Sequence, residues 1–259
     1  MLIALLLLLF YHNYPIFRDN ERRNELNKQV TGIKNYRFFD IIVGLFVAVL
    51  LISNIASTKI VDIWRFTFDG GTIIFPLSYI FGDILTEVYG YKQSRRAIWI
   101  GFLSAFIMSL VLGLVGLISP AEGWDLQEAY MAILGQTPRI VTASLIAYFA
   151  GEFLNSYILA KMKVLTVGKW LAARTIGSTV AGQGIDTLIF VFIAFYGVLP
   201  NSLLLTIIVS NYIFKVLLEV AFTPLTYKIV NSLKKAEGVD HYDRKTNFNP
   251  FLFFKREKK

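Results

Sequence analysis

Apolar runs of about 20 residues recur six times along this chain, each closed by a polar or basic segment, and that recurrence predicts an all-α polytopic membrane protein. A helix needs about 20 residues to cross about 30 Å of hydrocarbon. The expected spans run from about Phe38 to Ser57, Thr72 to Tyr91, Ala97 to Ile118, Ile140 to Ala160, Ile176 to Val198 and Leu203 to Pro224. Pro76 sits early in the second span, where its missing donor does least harm or kinks the helix. The stretch from Ser119 to Pro138, with Trp124, Leu126, Tyr130 and Leu134, has the spacing of a short interfacial helix. Met1 to Phe10 form a further apolar run, shorter than a span and without a basic leader or cleavage site, expected to lie in the interface. The chain thus reads as three regions: 1–37, an apolar segment and basic linker; 38–227, a six-helix membrane domain; and 228–259, a basic tail.

Charge fixes the expected orientation. The segments Arg18–Arg37, Lys92–Arg96, Lys161–Arg174 and Lys228–Lys259 hold six, three, four and nine Lys or Arg, against Lys59, Arg65 and Arg139 on the opposite side. Such a bias places the basic segments, and with them the N and C termini, in the cytoplasm of a bacterial inner membrane. The net charge of +8 is thereby a matter of topology, and no nucleic-acid partner is expected.

Against this background the ionisable residues inside the spans stand out. Asp83, Glu87, Glu152, Asp186 and Glu219 face a single base, Lys215. Six charges exposed to hydrocarbon would cost roughly 15–20 kcal/mol on an insertion scale, so these residues must face one another or water. Spacing agrees: Asp83 and Glu87, Glu152 and Asn155, Gln183 and Asp186, and Asn211 and Lys215 each share a helix face. One reading is structural pairing, with Lys215 matched to Asp83 or Asp186. One lysine cannot neutralise five carboxylates, and the surplus is left for protons, water, a substrate or a coupling cation. Glu219 and Glu87 lie towards the cytoplasmic ends, where a long side chain can reach the interface. Gly82, Gly90 and Gly151 are the sites where helices can approach closely.

Catalysis has no support. The chain has no cysteine, and neither His12 nor His241 falls in a span, which removes the usual thiolate and imidazole chemistry. No His-Glu-x-x-His, Gly-x-Ser-x-Gly or phosphate-cradling glycine loop occurs. Asp83 and Asp186 could mimic an intramembrane aspartyl pair, but Ile80 stands where such proteases carry the first glycine of Gly-x-Gly-Asp. No catalytic residue, metal site or cofactor is expected. A short echo, Tyr79-x-x-Gly82-Asp83-x-Leu85 against Tyr148-x-x-Gly151-Glu152-x-Leu154, fits two parallel three-helix repeats or chance similarity between apolar helices.

The ordered set Ser53-Asn54, Gly82-Asp-Ile-Leu-Thr-Glu-Val-Tyr-Gly90 with Arg95-Arg96, Gly182-Gln-Gly-Ile-Asp-Thr187 and Asn211-Tyr-Ile-Phe-Lys215 resembles the queuosine precursor transporter family, within the vitamin uptake transporters. The resemblance runs from about Phe38 to Lys235 and implies import of 7-cyano-7-deazaguanine, with its aminomethyl relative as a second substrate. A deazaguanine presents an N1 hydrogen beside a 2-amino group, a donor pair that a carboxylate accepts in bidentate fashion. Asp83, Glu152 or Asp186 suits that role. Asn54, Asn155 and Gln183 suit the remaining ring edge, and Lys215 the carbonyl oxygen, while Glu87 and Asn211 complete the candidate set.

Two other classes remain open. A substrate-capturing subunit served by a separate energising module would dock through small residues such as Ala172, Ala173 and Gly177, and a membrane scaffold would bind no ligand. A homodimer would use the third span, which carries no ionisable residue, as its contact.

Overall fold

The computed structural model describes residues 36–63, 66–135, 138–197, 201–244 and 246–252, so the apolar run and most of the basic linker lie outside the described residues. The chain divides into two units, Met1–Asp40 and Ile41–Lys259, and the helical bundle from Ile41 onward belongs to the second. Six helices are long and apolar enough to cross a membrane among the described residues, matching the six expected spans. In chain order the elements are α1 (Phe39–Ala56), an antiparallel hairpin of β1 (Ile60–Ile63) and β2 (Phe66–Asp69), α2 (Gly71–Ile74), α3 (Pro76–Tyr89), α4 (Tyr91–Gly116), α5 (Gln127–Ile133), α6 (Pro138–Leu165), α7 (Leu171–Phe195) and α8 (Asn201–Glu237). The hairpin, pairing Ile60 with Asp69 through Ile63 with Phe66, adds a small extended element to the expected all-α fold.

α3 is the axis of the bundle. Every residue from Ser78 to Tyr89 is buried, and α4, α6 and α8 all pack against it. Such all-round burial is what a helix carrying carboxylates requires, since none of its faces can meet lipid. Its start is set by Pro76, whose missing N–H falls in the first turn; the Phe75 carbonyl accepts instead from the Ser78 N–H (2.8 Å) and hydroxyl (2.6 Å). Its end is Gly90, at φ +83°, a conformation side chains rarely adopt, and a Cβ there would also strike the His241 ring. The basic cluster Lys92–Arg96 is consequently helical and forms the first turns of α4 rather than a loop.

α6 packs chiefly on α7, and the crossing is made by glycine. A Cβ on Gly151 would lie 2.9 Å from the Gly182 carbonyl oxygen, and one on Gly182 would lie 2.9 Å from that of Gly151. A side chain at either position would push the two backbones apart. The outer face of α4 exposes Leu103, Phe106, Ile107, Leu110, Val111 and Leu114, an uninterrupted apolar strip suited to lipid. The expected interfacial helix is α5, with Trp124, Leu126 and Ile133 exposed around it.

The last span continues well past Pro224 to Glu237. Hydroxyls carry the helix through the proline: Thr223 donates to the Glu219 carbonyl at 2.8 Å and Thr226 to that of Phe222 at 3.2 Å. Beyond it, residues 238–244 and 246–252 fold back along the start of α4 and the end of α6 as a strap. Arg95 donates to the carbonyls of Asn247 and Asn249 (both 2.8 Å), Trp99 to that of Pro250 (2.7 Å), and Tyr91 to that of Phe248 (2.9 Å).

Replacing Gly182 by Val is expected to lower stability by about 1–3 kcal/mol through overpacking of the α6–α7 crossing. Thermal unfolding in detergent measures it, and an unchanged midpoint would show that the crossing tolerates separation.

Candidate functional site

The polar faces of α3, α6, α7 and α8 meet in a column that can be followed from the hairpin end of the bundle to the strap end. From the residue before α3 and along the helix it passes Phe75, Tyr79, Asp83 and Glu87, a rise of about 18 Å at about 1.5 Å per residue. Three levels are distinct.

At the hairpin end an open cleft of about 60 Å³ is lined by Asn54, Thr72, Phe75, Ser144, Asp186 and Lys215, among others. Lys215 donates to Asp186 at 2.8 Å and lies 4.9 Å above the centre of the Phe75 ring. Of the two partners open to Lys215 from the sequence, it takes Asp186. Ser144 donates to the Asn54 side-chain oxygen at 3.1 Å, tying α6 to α1. Asn211 is buried one turn before Lys215 on the same face of α8.

Below the cleft lies a buried polar level. Asn155 donates to one oxygen of Asp83 at 2.7 Å, while the other Asp83 oxygen has no hydrogen-bond partner among the described residues. The same holds for both oxygens of Glu152, both amide atoms of Gln183, the side-chain oxygen of Asn155, and the hydroxyls of Tyr79, Tyr148, Thr179 and Thr187. All of these side chains are buried. The Glu152 carboxylate rests directly on Gly82, in the space a Cβ would need, which brings it beside Asp83. Tyr79 rests in the same way on Gly151, its ring 3.1 Å from the position a Gly182 Cβ would take. The glycines thus admit polar groups rather than merely closing the packing. Buried polar groups are normally satisfied, and ten unsatisfied atoms along the facing stripes of α3, α6 and α7 mark a surface that can bind a further polar group.

Glu87 occupies the third level, where bases that read as loop and tail charges converge on it. Arg174 grips it through both terminal nitrogens, Lys234 donates to it at 2.6 Å, and Lys163 donates to its backbone carbonyl at 2.5 Å and lies 3.4 Å from its carboxylate. Arg174 also holds the carbonyls of Gly168 (3.1 Å) and Lys169 (2.9 Å), in a loop where Val167, Gly168 and Trp170 are all left-handed. Asp240 of the strap accepts from Lys163 at 2.6 Å and from Lys234 at 2.9 Å. Glu87 is therefore committed to an ion lock one turn below Asp83.

The sequence had shown Lys215 as the one base within the spans. Lys163 was nevertheless legible, since it falls eleven residues, three helical turns, after Glu152 on the same face of α6. A span ending at Pro224 would let Glu219 reach the interface, but α8 runs so far beyond it that residue 219 lies mid-helix, 1% exposed, with neither oxygen partnered among the described residues.

Six spanning helices enclosing an unsatisfied polar level, open towards one end and locked at the other, define a membrane transporter for a small polar solute. A family model described as "Putative vitamin uptake transporter" matches residues 69–229. The chain is 30% identical to the "Probable queuosine precursor transporter" of Bacillus subtilis over 71% of its length and 82% of the relative's. It is 28% identical to the "Queuosine precursor transporter" of Escherichia coli over 72% and 84%. No solved structure matches it. The chain belongs to the vitamin uptake transporter family, a family of multi-pass membrane transporters and not of enzymes.

Two expected outcomes rest on the lock and the strap. Glu87→Gln leaves the nearly inaccessible Arg174 and Lys163 facing a neutral amide, a loss of about 3–5 kcal/mol readable as a lowered unfolding midpoint in detergent; a loss below about 1 kcal/mol would mean the lock does not hold the bundle. The strap should respond to acid. Burial pushes the Asp240 carboxyl up, but hydrogen bonds and charge from Lys163 and Lys234 outweigh it and hold it below the usual carboxylate range. Asp243 is held low in the same way, burial being outweighed by hydrogen bonds from His241, the Tyr91 backbone N–H and Thr246. Both are depressed on folding, so their stabilisation is complete above the ordinary value of 3.8 and is lost as pH falls below it. Trp99 emission, read with Trp64, Trp124 and Trp170 replaced by Phe, should stay constant from pH 7 to about 4 and change below that; a transition near pH 6 would assign the strap's hold to other groups.

Proposed function

We propose that this chain imports queuosine precursors of the 7-deazaguanine type, with 7-cyano-7-deazaguanine as a substrate and its aminomethyl relative as a second. The relatives named as queuosine precursor transporters support the class. The observation that carries the chemistry is the unsatisfied level around Asp83, Glu152 and Gln183. A guanine edge offers adjacent N–H donors to a carboxylate, and Gln183 has both a donor and an acceptor to answer the rest of the ring. Asp83 is the favoured reader, because Asn155 already orients one oxygen and leaves the other to the ligand.

The direction of transport rests on the basic segments lying in the cytoplasm. With the strap and lock on that side, the cleft at Asp186 and Lys215 opens outward and the base is admitted from there. Asp83 is fully buried, so the helices must part to pass the base down to it. Release requires the Glu87 lock to open in turn, an alternation between two ends of one column.

The test is uptake of labelled 7-cyano-7-deazaguanine by cells that can neither make nor import it, expressing this chain alone. Uptake by the wild type is expected without any added module, and Asp83→Asn at equal membrane abundance should lower it about 10- to 100-fold, the range for a charge-assisted hydrogen-bond pair. Uptake that survives Asp83→Asn would remove Asp83 as the reader. No uptake by folded wild type would favour a subunit that needs a separate energising partner.

A further inference from the structure

We propose that the column also carries a proton on Glu219, and that Lys215 links this proton to the state of the cleft, making the chain a proton-coupled importer. The inference rests on the transporter reading and adds to it what drives accumulation. Each of the other column carboxylates has an assigned counterpart or task. Glu87 is answered by three cations, Asp186 by Lys215, Asp83 by Asn155, and Glu152 lies on Gly82 beside Asp83 at the substrate level. Glu219 shares with Glu152 two buried oxygens that are unpartnered among the described residues, but Glu219 sits on α8, four residues after Lys215, and so is the one of the two that shares a helix face with the base of the cleft.

A proton fits Glu219 better than a metal cation does. No group of three or more His, Cys, Asp or Glu among the described residues could hold a metal ion. An ionised carboxylate without donor or cation costs several kcal/mol in such an interior, and a proton is the one ligand that removes the charge without needing further ligating atoms. The charged and titratable groups of the region are Tyr79, Asp83 and Glu87 on α3, Tyr148 and Glu152 on α6, Asp186 on α7, and Lys215 on α8. Asp83 and Glu152 interact electrostatically with Glu219, so a proton there also relieves repulsion at the substrate level.

Lys215 supplies the coupling. It stands four residues before Glu219 on the same helix face, within reach of it, and now spans to Asp186 in the cleft at 2.8 Å. While Glu219 holds its proton, Lys215 stays on Asp186 and the cleft pair is intact. When the proton leaves towards the lock side, the Glu219 carboxylate draws the ammonium down and away from Asp186. One O–H bond is made on the cleft side and broken on the other, so one proton, and one positive charge, moves inward with each neutral base. Pro224, five residues further along α8, interrupts the backbone hydrogen bonds beside this site and allows the helix to bend as the pair changes.

Purified full-length protein in proteoliposomes tests this with labelled 7-cyano-7-deazaguanine. An inward gradient of one pH unit should raise accumulation about tenfold over exchange without a gradient, and adding the base to ungraded vesicles should acidify the lumen. Glu219→Gln should show the same uptake with and without the gradient, and Glu219→Asp should restore the response. Base exchange by wild type that ignores the pH gradient, or follows a sodium gradient instead, would overturn the coupling and leave the transport reading standing. A gradient response kept by Glu219→Gln would overturn the role of Glu219. No movement of base at all would overturn both readings.

Discussion

A carboxylate at bilayer depth must be answered, and Glu87 is answered by groups from three separate parts of the chain. Arg174 comes from the start of α7, Lys163 from the end of α6, and Lys234 from the end of α8. Each of those helices would otherwise be free to slide or tilt at that end, because apolar side chains facing lipid set no register. The lock sets it, and with it the depth at which Glu152, Gln183 and Glu219 meet α3. The interaction is costly to break from one side, since removing the carboxylate strands the cations. Such a structure can be opened as a unit but does not loosen gradually.

The strap extends the same logic past the membrane. Asp240 shares Lys163 and Lys234 with Glu87, while Asp243 accepts the Tyr91 N–H at the start of α4, where no residue of the preceding turn can. Phe251 joins Trp99 and Phe149 in an aromatic cluster, and Phe248 lies against Tyr91 and Tyr157. The strap is thus part of the closed end of the column. Opening that end has to move the strap as well as the lock, which ties access to the column to a segment outside it.

Much of this was legible in the sequence because the membrane enforces it. The six spans were readable from length and apolarity, and the inward carboxylates from the expense of any other placement. Asp83, Glu152, Asn155 and Gln183 could be grouped because helical spacing puts them on facing stripes, although spacing alone could not choose between Asp83 and Asp186 as the partner of Lys215. What escaped were charges whose partners lie far away in sequence. Arg174 and Lys234 looked like ordinary cytoplasmic charges, since the positive-inside count gives the same weight to a base that faces water and one that folds back onto a carboxylate. The break at Gly90 was hidden by the basic residues after it, which resemble a loop. Tyr242, Phe248 and Phe251 were the sign that the tail packs, being more apolar surface than a solvated tail needs.

The echo between Tyr79-x-x-Gly82-Asp83 and Tyr148-x-x-Gly151-Glu152 takes on meaning from where its members sit. In both motifs the tyrosine is fully buried with its hydroxyl unpartnered, and the glycine admits a polar group from another helix: Glu152 over Gly82, Tyr79 over Gly151. Each motif thus uses its missing side chain to seat a polar residue of the other. That reciprocity brings two carboxylates together in a place neither helix could offer alone, and it explains why small and acidic residues adjoin in both. The two motifs lie on the second and fourth of the six spans, which are not equivalent members of two three-helix halves, so the substrate level rests on the contact of these two helices and not on a repeat.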